Sequence, residues 1–224
     1  MYRSNAMTEI SPAILTNDVS DFRKKYAELF ALGHYFKKLH VDFIDDKFIH
    51  NLTVLPADLG FLKSSPFTLV AHFMTIDPQK YFAAAKAAGF EWVLFHYEAM
   101  TNDQEFAATI AAAAALGLKP GLVLNPETPL YSAAKFLDQV PLIQLMGIHP
   151  GFQGRPFQVA IIEKVKELRQ LSKSVIICVD GGVKVGIARQ LAKAGADILV
   201  AGSAITRSED EEMAIESLKA DIET

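Results

Sequence analysis

Cysteine is nearly absent from this 224-residue chain: Cys178 stands alone. A disulfide framework is therefore excluded, and the composition fits a reducing compartment such as the cytoplasm. No apolar run approaches the ~18 residues of a membrane-spanning helix. Residues 1–7 carry one arginine and no apolar stretch, so they do not read as a signal peptide. Basic charge is not in excess either. Twenty-two Lys and Arg against 26 Asp and Glu leave a net charge of −4, which offers no whole-domain footprint for nucleic acid. Half of the residues are apolar, which excludes a disordered chain. No Pro/Gly/Ser-rich linker or close repeat divides the sequence. Ser4-Asn5-Ala6 ahead of Met7 reads as a cloning remnant, so residues 1–6 are set aside and 7–224 are read as one domain.

What is present is a regular alternation. Short apolar, β-rich runs fall at 9–15, 38–44, 67–73, 92–96, 119–124, 142–147, 175–179 and 198–201. Each is followed by a segment that can be helical: 18–32, 56–63, 78–88, 103–116, 130–137, 156–171, 185–194 and 210–222. Ile161, Val165 and Leu168 recur at helical spacing, with charged residues on the other face. Gly33, Gly89, Gly117 and Gly195 each follow a helical pattern, where a left-handed residue ends a helix at little cost. Asp77-Pro78 reads as an N-cap followed by proline at the first helical position. Alternating strands and helices imply parallel strands joined by crossovers. Several strands are apolar on both faces, as a sheet covered by helices requires. Eight such units predict a closed (β/α)8 barrel, with an open doubly wound sheet as the alternative.

In a barrel, chemistry sits at the C-terminal ends of the strands, and the unusual polar residues of this chain fall there. His40 and Asp42 lie in the second strand, His72 in the third, His96 at the end of the fourth, Asn125 after the fifth, His149 after the sixth and Asp180 at the seventh. The i, i+2 spacing of His40 and Asp42 puts both side chains on one face of a strand. His72 and Asp180 can converge on that face from other strands. Ionisable groups inside apolar strands are costly unless paired or metal-bound. Two imidazoles and two carboxylates suit a borderline divalent ion such as Zn²⁺, Fe²⁺, Mn²⁺ or Co²⁺; the plainer reading is hydrogen bonding within the barrel. Glycine turns cluster in the last three loops: Gly151-Phe152-Gln153-Gly154, Gly181-Gly182 and Gly202-Ser203. Backbone N–H groups in such turns bind phosphate well, although glycine also serves simply to make tight turns.

With these residues in place, the chain resembles the ribulose-phosphate 3-epimerase family. The matching segments run in order from Ile10 to Ser208. They include Ser11-Pro12-Ala13-Ile14-Leu15, His40-Val41-Asp42-Phe43-Ile44-Asp45, Ala71-His72-Phe73-Met74, Phe95-His96-Tyr97-Glu98-Ala99, Leu124-Asn125-Pro126, Pro150-Gly151-Phe152, Val179-Asp180-Gly181-Gly182 and Ala201-Gly202-Ser203. The resemblance implies a metal-dependent barrel of the ribulose-phosphate-binding type that inverts one carbon of a ketose phosphate. His40, Asp42, His72 and Asp180 would hold the metal, and Asp42 and Asp180 would also be the acid/base pair. Met74 and Met146 would wall the pocket. Gly151, Phe152, Gln153, Gly154, Gly181, Gly182, Gly202 and Ser203 would bind substrate phosphate. The implied assembly is a homo-oligomer, dimer or hexamer.

Departures from the family pattern lie at substrate-facing or loop positions. Ala13 stands where the family has a serine, and Asp46 and Glu127 each where it has a glycine. Gln153 and Arg155 interrupt the glycine-rich phosphate loop. Ile44 replaces a common methionine. These changes keep two further readings open: epimerisation of a ketohexose 6-phosphate such as allulose 6-phosphate, and a sugar-phosphate-binding paralogue without turnover. Decarboxylase or aldol chemistry would need a lysine at an early strand end, where Lys47 is the only candidate. Tyr97, Glu98, Trp92 and Cys178 are assigned to packing and local hydrogen bonding, and His50 has no assigned role.

Overall fold

The structure is a computed structural model that describes residues 7–151 and 154–224. Eight parallel strands close into a barrel in sequence order: β1 (Glu9–Ile14), β2 (Lys38–Ile44), β3 (Thr68–Met74), β4 (Phe90–His96), β5 (Lys119–Leu124), β6 (Leu142–Met146), β7 (Ile176–Asp180) and β8 (Ile198–Ala201). The closed barrel replaces the open-sheet alternative. Closure leaves no unpaired edge, so backbone groups of these buried strands find partners on both sides.

The helices form the outer layer: α1 (Val19–Ala31), α2 (Gln79–Ala87), α3 (Asp103–Ala115), α4 (Tyr131–Ala134), α5 (Ala160–Leu171), α6 (Ile187–Ala194), α7 (Ser203–Thr206) and α8 (Glu211–Glu223). A 3-10 segment, Pro56–Ser64, takes the place of a helix after β2. Local chemistry explains several starts. Asp18, Asn102 and Asp210 each accept a backbone N–H three residues on, capping α1, α3 and α8. The cap of α6 is not local: Asp221, from α8, accepts the N–H groups of Gly186 and Arg189.

Some expected boundaries shift for identifiable reasons. The helix expected from residue 156 begins at Ala160, because Gln158 N–H bonds the Gly147 carbonyl and Phe157 packs against Gly147 and Gly182. The segment expected at 130–137 is helical only over α4 and continues as turns. Gly89, Gly117 and Gly195 have positive φ, whereas Gly33 does not; there a Cβ would lie 2.9 Å from the Phe67 ring. Pro78 itself is helical in conformation, and no side-chain cap bond forms where Asp77 was expected to supply one.

Strand alternation sorts side chains into two cores. The outer one lies between strands and helices and includes Phe43, Phe73, Phe95, Leu122 and Ile143. The inner one fills the barrel with Val70, Trp92, Leu94, Leu142, Cys178 and Ile198. Trp92 and Cys178 thus take the packing roles expected of them. The inner core fills the lower barrel, and the polar groups discussed next share its inward face nearer the C-terminal ends of the strands.

Candidate metal centre and phosphate pocket

The register of β2 and β3 sets Asp42 opposite His72, and that of β6 and β7 sets Met146 opposite Asp180. Together these pairings bring His40, Asp42, His72 and Asp180 into one buried group, with one ligand atom from each within 4.8 Å of the others. His72 Nδ1 lies 2.9 Å from Asp42 Oδ1 and 3.3 Å from Asp180 Oδ2. His40 Nε2 lies 4.0 Å from Asp42 Oδ1 and 3.9 Å from Asp180 Oδ2, and it is buried without a hydrogen-bond partner.

This arrangement fits a metal ion. An unpartnered imidazole nitrogen in the interior is costly unless something fills its lone pair. Metal–ligand bonds of about 2.0–2.2 Å put neighbouring ligand atoms roughly 3–4 Å apart, which is near the spacing here. The electrostatics are those of a site that draws positive charge. Burial holds His40 below the usual histidine range, which favours its neutral form. Burial also opposes a charge on His72, but hydrogen bonds with Asp180 and Asp42 outweigh it and push that group up to about 9. Burial would raise Asp180, yet the bond to His72 and the surrounding imidazoles hold its carboxyl below the ordinary value.

Above the group opens a pocket at the C-terminal face of the barrel. Asp42 and Asp180 form part of its lining; His40 and His72 lie beneath and do not. Met74 and Met146 wall it, and Ala13 contributes from β1. Gly151, Gly154, Gly181, Gly182, Gly202 and Ser203 come together around the other side. Phe152 and Gln153 lie outside the described residues. Gly181 and Gly182 have φ of 98° and 72°, and a Cβ on Gly181 would meet Ile148 at 2.4 Å, so only glycine suits this turn. Ser203 and Ala204 open α7, where the first N–H groups of a helix have no partner inside it.

Other candidates fall elsewhere. Arg155 is exposed and is not part of the pocket lining. His149 is exposed and pairs with Glu127 at 3.2 Å. His50 is exposed beside Asp46 at 3.5 Å.

One polar residue of the site carries almost no signal in the sequence. Gln144, on β6, is fully buried; its Nε2 donates to Asp180 Oδ2 at 3.1 Å while its Oε1 accepts from Cys178. A lone glutamine in the run Leu142–Met146 was the one signal available. Glu98 takes the local hydrogen-bonding role expected of it: it accepts the Asn125 N–H at 2.7 Å and the Thr128 hydroxyl, and its other oxygen lies 3.3 Å from His96 Nδ1.

Residues 9–206 match the model of the "Ribulose-phosphate 3 epimerase family". The ribulose-phosphate 3-epimerase of Bacillus subtilis is 30% identical over 226 residues, spanning 95% of this chain and 99% of that protein. That of Escherichia coli K12 is 32% identical over 219 residues, with 95% of each chain covered. Among solved structures, 3-hexulose-6-phosphate synthase superposes with a TM-score of 0.70 at 22% identity, covering 96% of this chain and all of that one. The KGPDC of Streptococcus mutans reaches 0.72 at 15% identity, covering 97% of this chain and 98% of that one. Those two structures share the fold. Among the described residues no helix is long and apolar enough to cross a membrane.

Proposed function

The chain belongs to the ribulose-phosphate 3-epimerase family, and on that premise we propose that it inverts C3 of D-ribulose 5-phosphate to give D-xylulose 5-phosphate. The observation that carries this reading is the placement of Asp42 and Asp180 in one pocket, on strands from separate parts of the barrel, above two buried histidines. Epimerisation beside a carbonyl requires removal of a weakly acidic C3 proton from one face and return of a proton to the other. Two carboxylates entering from β2 and β7 can serve the two faces. They must rest in opposite protonation states for transfer in each direction. His40, Asp42, His72 and Asp180 would hold a divalent ion, which would supply Lewis acidity to the negative charge that develops on the substrate.

The rest of the pocket fits the same reading. Met74 and Met146 present a polarisable apolar wall against which a planar enediolate can form without added charge. Gly181, Gly182, Gly202 and Ser203 offer backbone N–H groups to the phosphate, and Gly151 and Gly154 line the same pocket. Phe152 and Gln153 complete that loop in sequence.

Exchange of the C3 hydrogen of ribulose 5-phosphate in D₂O, followed by NMR, tests the proposal. Metal-replete protein should exchange and epimerise; a chelator should stop both and added divalent metal restore them. Absence of exchange in metal-replete protein would leave a binding protein and end the epimerase reading. A kcat/KM comparison with allulose 6-phosphate tests the substrate, because Ala13 offers no hydroxyl to the pocket. A large preference for the hexose would move the assignment.

A further inference from the structure

His72 Nε2 lies 3.0 Å from His96 Nε2, on the side of the ring away from Asp42 and Asp180. His96 Nδ1 in turn lies 3.3 Å from Glu98 Oε2. Both histidines are fully buried, so water does not compete for these contacts. The second oxygen of Glu98 is occupied by the Asn125 N–H and the Thr128 hydroxyl. A carboxylate held by donors on both oxygens can only accept.

We propose that Glu98, acting through His96, fixes the ring proton of His72 on Nε2 and so keeps Nδ1 open for the metal ion. The inference rests on the metal site proposed above. Two imidazole nitrogens 3.0 Å apart share a single proton. For His72 to ligate through Nδ1, that proton belongs to His72 Nε2 and His96 Nε2 must accept it. The proton of His96 is then on Nδ1, and it requires an acceptor there, which Glu98 provides. The backbone N–H of Asn125 cannot rotate away, so the Glu98 carboxylate is held in this orientation. His96 and Glu98 are positioning residues: they touch neither substrate nor ion, and they set which nitrogen of His72 is available.

Glu98→Gln should reverse the chain. The new amide keeps its oxygen on the Asn125 N–H and turns its NH₂ toward His96 Nδ1. His96 must then carry its proton on Nε2, facing the Nε2 proton of His72 across the same short gap. Relief moves the His72 proton to Nδ1, the ligating atom. Zinc affinity should fall about 10–100-fold, a loss that chelator competition reads directly. A purely structural role for Glu98 would lower affinity without moving a proton.

The decisive measurement is ¹⁵N NMR of the histidine rings in the zinc-loaded protein. In the unsubstituted chain the expected pattern is His72 protonated on Nε2 with a zinc-shifted Nδ1, and His96 protonated on Nδ1. In the Glu98→Gln protein the His96 proton should appear on Nε2. A wild-type His96 protonated on Nε2 would overturn the relay, whether or not the variant folds. So would a Glu98→Gln protein with unchanged tautomers and zinc affinity. If zinc leaves the His72 Nδ1 signal unmoved, the metal site itself fails and the relay fails with it, a result recognisable from the wild-type spectrum alone.

Discussion

The side-chain amide of Gln144 donates from Nε2 to Oδ2 of Asp180 across 3.1 Å, inside the barrel and below the pocket. The orientation of that amide is fixed by its surroundings, because only the NH₂ can face a carboxylate and only the oxygen can take the Cys178 S–H. Gln144 therefore holds Asp180 in the rotamer that the metal group and the pocket share. Replacing Gln144 with Leu keeps the volume and removes the donor. Metal affinity should fall about tenfold or more, and the metal-free protein should lose about 1–3 kcal/mol of stability, because the buried Asp180 carboxylate and Cys178 S–H each lose a partner. Calorimetric titration with zinc beside a thermal melt separates the two effects.

Asp42→Asn and Asp180→Asn each remove a proposed proton carrier without changing side-chain size. Each should lower kcat by at least about 10²–10⁴-fold, with the circular dichroism spectrum unchanged. A residual rate near that of the unsubstituted enzyme in either variant would remove that aspartate from the acid/base pair. Measuring exchange and net epimerisation separately shows which face each carboxylate serves.

Asp46 has φ of 62° and is the one non-glycine residue with positive φ among the described residues. The family's glycine at this position thus has a backbone reason, and aspartate is among the few residues that tolerate the left-handed region. Asp46→Gly should leave stability within about 0.5 kcal/mol, because relief of strain and the greater freedom of the unfolded chain oppose each other. Asp46→Val should cost roughly 1–2 kcal/mol. Urea denaturation of the pair checks both values, and equal stability of the two variants would show that the turn relaxes freely.

Asp45 ties the end of β2 to α2: Lys80 Nζ donates to Oδ2 at 3.0 Å and the Tyr81 hydroxyl at 2.9 Å. Burial works to raise its pKa, but Lys80 and Tyr81 prevail and hold the carboxyl below its ordinary value of 3.8. A group depressed in the folded state adds stability above its unfolded pKa and loses that contribution as pH falls through the folded one. Asp45→Asn should therefore be less stable than the unsubstituted chain at pH 6–7, with the gap narrowing once pH drops below about 4. A gap that stays constant across denaturation curves from pH 7 to pH 3 would assign the effect to packing instead.

Eight alternating strand–helix units, and unusual polar residues at the ends of the strands, are legible in the sequence alone, which leaves a closed barrel and an open sheet both possible. Parallel strands covered by helices must be apolar on both faces, so β2, β5 and β8 could be placed to the residue. A histidine or aspartate inside such a run stands out because burial without a partner is so unfavourable. Period-two alternation put His40 and Asp42 on one face before any neighbour was known. The segments expected from 18 and 103 coincide with α1 and α3, whose caps Asp18 and Asn102 are local, whereas the Asp77-Pro78 cap does not form and α6 is capped by Asp221 from another helix. Tertiary structure decided the rest. Barrel closure and strand register determine that Asp42 and Asp180 share the pocket while His40 and His72 lie under it. They also set His72 against His96, and Gln144 against Asp180, across neighbouring strands. Which nitrogen of an imidazole faces its partner depends on distances of a few ångströms between strands. No periodicity along a single strand encodes that.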